Sequence, residues 1–378
     1  MADGGAAQTS VWMLPFAAVL RYGRAALVAA IPLSADLKPR HWTRQSATQL
    51  LGYVEKIDSH GLNPADYECD ALLWAIQYGN TDQLEHQATE SFSLAARDLA
   101  NGHVRPAQRR QFFISTLALT RDEIAIRGDR ALAENDVYSI LNALAPTQPQ
   151  YVALRSALAK LPTNAVRERR KIEASLERWR WLPHELGSTH ALVNVPQYTV
   201  HVIRDNEEVA AHRVIVGKVS MPTPQFAATI SGVIIKPQRQ ASASLIADSG
   251  GWLVRHTAQV RRPGSAVGQV ELEMPNPHMV YLHDTLNKEQ IEKPDRTFSN
   301  GCIRTDQALD LAAELLRCPR AKIDEAVSED TTGRIALQQP VPIYVLYFTA
   351  YAEPDGTVRY YEDPYSLDDA IYDSLNRG

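Results

Sequence analysis

The hydrophobic period of this chain changes once, near Pro183, and that change limits the class of fold it can adopt. Before it, apolar residues recur every three or four positions. A helix with that spacing carries one apolar stripe and must bury it against other helices. In 43–59 the stripe is Leu50, Leu51, Val54 and Ile57, and Gly61 stops it. Segments 70–78 (Leu72, Leu73, Ala75, Ile76) and 81–100 (Leu84, Phe92, Leu94, Ala95, Leu99) repeat the pattern. The second of them runs into Asn101-Gly102, a helix-ending pair. Segments 136–144, 149–161 and 167–181 follow. Together they predict an antiparallel helical scaffold over 1–175.

Beyond Pro183 the period falls to two. Segments 191–195, 198–203, 209–216 and 229–235 alternate and are rich in Val, Ile and Thr, with a turn signal at Asp205-Asn206. Segments 270–274 and 278–283 read as further strands, and 341–349 as a late one with Pro340 and Pro342 only at its start. Between them, 306–316 is helical, with Leu309, Ala312, Ala313 and Leu316 on one face. The expected fold class is therefore α+β. A helical scaffold precedes a mainly β domain over 176–350 with one key helix, and an acidic, tyrosine-rich tail over 351–378 packs on that domain.

The bulk numbers exclude several functions. With 45% hydrophobic and 22% charged residues among 378, the chain can bury cores for two domains. A net charge of −5 gives a nucleic-acid partner no electrostatic support. No run of 18 apolar residues exists, so no membrane span is expected. Residues 11–33 are apolar in two pieces split by Arg21 and Arg24, with no basic stretch ahead of them. An amphipathic first helix is the preferred expectation there, a processed export product the other; no export signal is evident. Oligomeric state is left open.

Three cysteines, Cys69, Cys302 and Cys318, are too few for a disulfide framework, and no zinc-ligand spacing accompanies them; neither metal nor cofactor is expected. Cys69 and Cys318 read as small hydrophobes. Cys302 differs. It sits in Ser299-Asn-Gly-Cys-Ile-Arg304, and His283 lies 19 positions before it in Tyr281-Leu-His-Asp-Thr285. A thiolate served by an imidazole is the nucleophile that acyl transfer needs. Alternation places Tyr281 and His283 on one face of their strand. Gly301 permits a tight turn that could aim the amides of Gly301 and Cys302 at one oxyanion. Thr305 or Asp306 is the expected cap of the following helix, whose dipole would favour the thiolate. Spacing alone leaves an inert cysteine and a structural histidine as alternatives.

These motifs resemble the catalytic signature of the L,D-transpeptidases, the YkuD-domain enzymes of bacterial cell walls. Glu177-Arg-Trp-Arg-Trp-Leu-Pro183, Leu192-Val-Asn-Val-Pro196, Val216-Gly-Lys218 and Pro222-Thr-Pro224 are similar to segments of the family's large, YcbB-like branch. So are Arg261-Arg-Pro-Gly264 with Gly268, and Asn276 to Thr285; Gly61-Leu-Asn-Pro64 and the run 95–102 resemble its helical scaffold. The resemblance covers roughly residues 45–365. It implies a periplasmic enzyme in which Cys302 attacks a peptidoglycan stem-peptide amide. The thioester passes to a diaminopimelate side-chain amine, making 3–3 or 1–3 links. It implies His283 as the base, held by the backbone carbonyl of Asp284, with Gly301 supplying an oxyanion amide. Arg304, Asn300, Ser299 and Tyr281 would contact substrate, Arg304 by gripping a carboxylate.

The chain departs from the family in three places. Asn300 stands where a histidine is usual. Residues 146–176 are too few for the glycan-binding module often found there. Only about 25 residues, 236–260, are available for a lid that is usually long. Two alternatives stay open beside the transpeptidase. One is a carboxypeptidase, endopeptidase or D-amino-acid exchanger working through the same thioester. The other is a non-catalytic wall-binding scaffold protein.

Overall fold

A computed structural model of the chain describes residues 41–237, 267–329, 332–353 and 355–376. The expectations for 11–33, for most of the lid segment and for Arg261–Gly264 lie outside the described residues.

Helices of the first half begin where side chains satisfy their first amides. Thr43 with Ser46, Asn80 with Gln83 and Thr120 with Glu123 form reciprocal caps for α1 (Arg44–Val54), α3 (Thr81–Asn101) and α4 (Arg121–Glu134). Between α1 and α3 lies α2 (Cys69–Tyr78). The expected 43–59 helix ends early, at Val54; a separate 3-10 turn, Ile57–His60, carries the chain to Gly61, whose φ of 69° closes it. α5 (Val137–Asn142), α6 (Pro149–Lys160) and α7 (Val166–Arg180) complete the scaffold. α4 was not expected. It buries only Ile124 and Ala131, so its apolar stripe is too thin to show as a period.

Among the described residues, eight strands form one sheet in the order β3-β2-β1-β10-β5-β6-β7-β9. These are β1 (Thr189–Asn194), β2 (Thr199–Arg204), β3 (Glu207–Arg213), β5 (Phe226–Ile235), β6 (Val267–Glu273), β7 (Leu282–Thr285), β9 (Ile303–Thr305) and β10 (Gly333–Leu346). β4 (Val216–Gly217) pairs separately with β8 (Thr297–Ser299), so the expected 209–216 strand is broken in two. β10 starts earlier than expected, and an irregularity between Ala336 and Val341 takes up Pro340. The second half also holds more than one helix: α8 (Ala308–Leu316), α9 (Arg320–Ser328) and α10 (Asp368–Leu375).

β10 shows how the two halves join. Ile343 and Val345 enter the core between the sheet and α8, while Tyr344 and Leu346 enter the helical core of the scaffold. Successive side chains of a strand point to opposite faces, so one strand serves both cores. Trp179 of α7 stacks on Phe348 just past β10, with ring centroids 4.8 Å apart. The tail packs on both halves: Arg178 pairs with Asp368 at 2.5 Å, and Tyr365 enters the sheet core.

α7 carries a group that couples stability to pH. Burial pushes the Glu173 carboxyl up to about 7, against the opposing pull of Arg169 and Arg170. The folded chain then holds this proton more tightly than the unfolded chain. The group's stabilisation is full below about pH 4.5 and is lost as pH rises through about 7. The loss is about 3 kcal/mol at most. Glu173→Gln should flatten the fall in melting temperature between pH 5 and 8; an unchanged slope would refute this.

Candidate active site

β7 lies between β6, antiparallel to it, and β9, parallel to it. His283 on β7 is in register with Arg304 on β9, and Leu282 with Ile303. Cys302 immediately precedes β9 and is half-buried. Extended back by one residue from β9, with strands about 4.8 Å apart and about 3.3 Å per residue, the ladder would put the Cα atoms of His283 and Cys302 about 8 Å apart. That separation lets their side chains meet.

His283 is buried, at 4% exposure, and its Nδ1 lies 2.6 Å from the backbone oxygen of Asp284. A carbonyl oxygen can only accept, so Nδ1 carries the proton and Nε2 is left as the base. The Asp284 side chain is occupied elsewhere, accepting from the amides of Gln269 and Thr285. A Cβ on Gly268 would fall 2.0 Å from Asp284 Oδ2, so this approach needs glycine. The register of β6 places Glu271, also buried, opposite His283, with Cβ atoms roughly 5 Å apart.

The loop before Cys302 is built on a buried hydroxyl. Ser299 is 0% exposed; its Oγ donates to the Cys302 carbonyl at 2.5 Å and accepts from the Gly301 amide at 3.1 Å. Two expectations change. Ser299 holds the loop from inside and has no surface to offer substrate. The Gly301 amide is spent on Ser299 and does not aim at an oxyanion with that of Cys302. Gly301 does take up a left-handed φ of 100°, and a Cβ there would meet only oxygens 3.9 and 4.0 Å away. Conformation, not crowding, selects glycine here.

The residues after Cys302 also correct an expectation. They form strand β9, and α8 begins at Ala308 after Gln307, whose side chain makes no cap bond. Neither Thr305 nor Asp306 caps α8, and its dipole is displaced from the sulfur by a strand; such an effect fades within one turn. Tyr281 precedes β7, where its carbonyl accepts from the Ile303 amide; its side chain is half-buried and off the strand. Asn300 is exposed on the loop, and Arg304 is half-buried beside His283.

Two residues that the sequence did not mark hold this loop from behind. Thr223 Oγ donates to the Gly301 carbonyl at 2.8 Å, and Tyr365 from the tail accepts from the Thr223 amide at 3.2 Å. Only the motif Pro222-Thr-Pro224 hinted at the first, without a role. Among the described residues no three His, Cys, Asp or Glu side chains group as a metal site, and no helix is long and apolar enough to cross a membrane.

Residues 188–343 match the family model of the L,D-transpeptidase catalytic domain, and residues 37–158 that of a scaffold domain. Residues 188–343 carry the L,D-transpeptidase catalytic domain. A Haemophilus influenzae protein named, provisionally, as an L,D-transpeptidase is 24% identical over 282 residues, 64% of this chain and 57% of its own length. This chain thus spans little more than half of that relative. Among solved structures, an L,D-transpeptidase from Mycobacterium smegmatis shares 17% identity over 42% of this chain and 58% of its own, with a TM-score of 0.25. A cysteine-to-serine mutant of the Enterococcus faecium L,D-transpeptidase shares 15% over 44% and 52%, with a TM-score of 0.24.

Proposed function

We propose that this chain is a peptidoglycan L,D-transpeptidase of the periplasm, with Cys302 as nucleophile and His283 as general base. The single observation that carries this is the fixed tautomer of His283, bonded through Nδ1 to the Asp284 carbonyl, on the strand paired beside that of Cys302. Nε2 takes the thiol proton, and the sulfur attacks a stem-peptide carbonyl. The amide C–N bond breaks as the C–S bond forms, and the imidazolium returns its proton to the leaving amine. A diaminopimelate side-chain amine then attacks the thioester; its proton passes to His283, and the C–S bond breaks to restore the thiol. The thioester conserves the acyl energy, so no nucleotide is consumed. The Cys302 amide stabilises the oxyanion. Arg304 grips a substrate carboxylate beside His283, with Tyr281 and Asn300 lining its approach. The scaffold, 1–175, carries this chemistry, which falls within 176–350.

Products distinguish this from its rivals. Incubating the protein and its Cys302→Ala variant with wall fragments should give new crosslinked dimers from the native protein alone, resolved by mass. Fragmentation of the dimers reads out 3–3 or 1–3 linkage. Shortened monomers in place of dimers would mean hydrolysis, and identical traces from both proteins would end the enzymatic reading.

A further inference from the structure

We propose that Thr223 is a positioning residue that aims the Cys302 amide at the oxyanion, and that Tyr365 of the C-terminal tail holds Thr223 in place. This rests on the thioester mechanism above and adds to it what directs the oxyanion donor, now that the Gly301 amide is spent on Ser299.

The geometry follows from one peptide plane. The Gly301 carbonyl and the Cys302 amide belong to the same unit, which is planar and trans, so they point in opposite directions. Thr223 Oγ donates to that carbonyl at 2.8 Å. Fixing the oxygen on one side fixes the N–H on the other. Among the described residues no acceptor takes the Cys302 amide. The next peptide is fixed as well, by Ser299 Oγ on the Cys302 carbonyl.

Each hydroxyl behind this plane has one possible direction. Thr223 Oγ accepts from the Gly217 amide at 2.8 Å, so its own proton is left for Gly301. Tyr365 accepts from the Thr223 amide and donates to the Gly217 carbonyl at 2.5 Å. Thr223 is 1% exposed and Tyr365 8%. A Cβ on Gly217 would lie 2.3 Å from the Met221 carbonyl and 2.6 Å from the Thr223 nitrogen, so the 217–223 turn has no slack. The tail is anchored in turn. The Tyr365 amide donates to Tyr347, whose hydroxyl bonds Asp363, and Asp363 accepts the Asp368 amide at 2.9 Å. Asp368 holds Arg178 of α7. A buried relay of directed bonds thus runs from α7 through the tail to the peptide before the nucleophile.

The test separates aim from reactivity. Acylation of a carbonyl builds an oxyanion; alkylation by iodoacetamide, a displacement at a saturated carbon, does not. The full chain and its Thr223→Val, Thr223→Ser and Tyr365→Phe variants are followed by mass at the Cys302 peptide, with stem-peptide monomers as acyl donor and iodoacetamide as alkylating agent. Thr223→Val should lower the acylation rate about 10- to 100-fold, below the 10²–10³ known for complete loss of an oxyanion donor. Alkylation should stay within about threefold, since aim does not enter it. Thr223→Ser should recover most of the acylation rate. Tyr365→Phe, which removes no bond made directly to the loop, should lower acylation severalfold with alkylation again unchanged.

Equal loss of both reactions in Thr223→Val and Tyr365→Phe would overturn the proposal, since the thiolate itself would then be at fault. So would a valine variant that acylates normally, or a serine variant as slow as valine. A native chain that alkylates at Cys302 yet is never acylated would overturn the transpeptidase reading, and this inference with it.

Discussion

Exchanging His283 for glutamine should slow thioester formation at Cys302 by roughly 10²–10⁴-fold near neutral pH, the usual worth of a positioned base. Glutamine can replace the hydrogen bond to the Asp284 carbonyl but cannot accept a proton. The loss should also depend on pH in one direction. Hydroxide from solution can take the thiol proton in place of the missing base, and more of it is available as pH rises. The deficit against the native protein should therefore shrink toward pH 10. A time course of the acyl-enzyme mass at pH 7, 8.5 and 10 checks this. A variant as fast as native at pH 7, or one with the same deficit throughout, would remove His283 from the role of base.

The second large effect lies in α7. Glu177 and Arg180 of α7 are both 0% exposed at their side chains and pair at 2.6 Å. Glu177 also accepts from the Val104 amide and from the Trp181 indole, each at 2.8 Å. Arg180 reaches the His60 carbonyl and the Tyr151 hydroxyl. Glu177→Leu would strand a guanidinium with no water to solvate it, which costs about 3–5 kcal/mol. Against a total stability of about 5–15 kcal/mol, that brings the chain close to unfolding at ambient temperature. Glu177→Leu with Arg180→Met should recover most of the loss, because the isolated charge is gone. Urea midpoints for the single and double variants decide the matter. Equal losses in both would place the cost in the Val104 and Trp181 bonds and not in the stranded charge.

How much of this was legible in the sequence depends on how far apart the partners lie. Leu50, Val54, Phe92 and Leu99 declare their helices because neighbours three or four residues away bury the same stripe. Ala191, Val193, Ile343 and Val345 declare their strands by alternation. The cysteine and histidine stood out by residue type and setting. α4 did not show because Ile124 and Ala131 are too few to make a period, although its cap, Thr120 with Glu123, was there to be read. The roles of Ser299 and Gly301 were misread because a hydroxyl and an amide can face a substrate or each other, and only the loop's path decides which. Glu271 beside His283 needed the register of β6 on β7. The contact of Tyr365 with Thr223 joins residues 142 apart, which no local pattern reports.

The central pairing of the sheet bears on when this protein can fold. Ala191 on β1 lies beside Ile343 on β10, in a parallel ladder that runs to Asn194 and Leu346. β1 must wait for a partner that follows it only after β2 to β9, and distant partners of this kind slow the search for the native state. A nascent chain can assemble its first helices early but has no middle to its sheet until β10 has emerged. Translation stopped short of residue 343 should leave an open edge at β1, vulnerable to proteolysis and to pairing with the wrong neighbour.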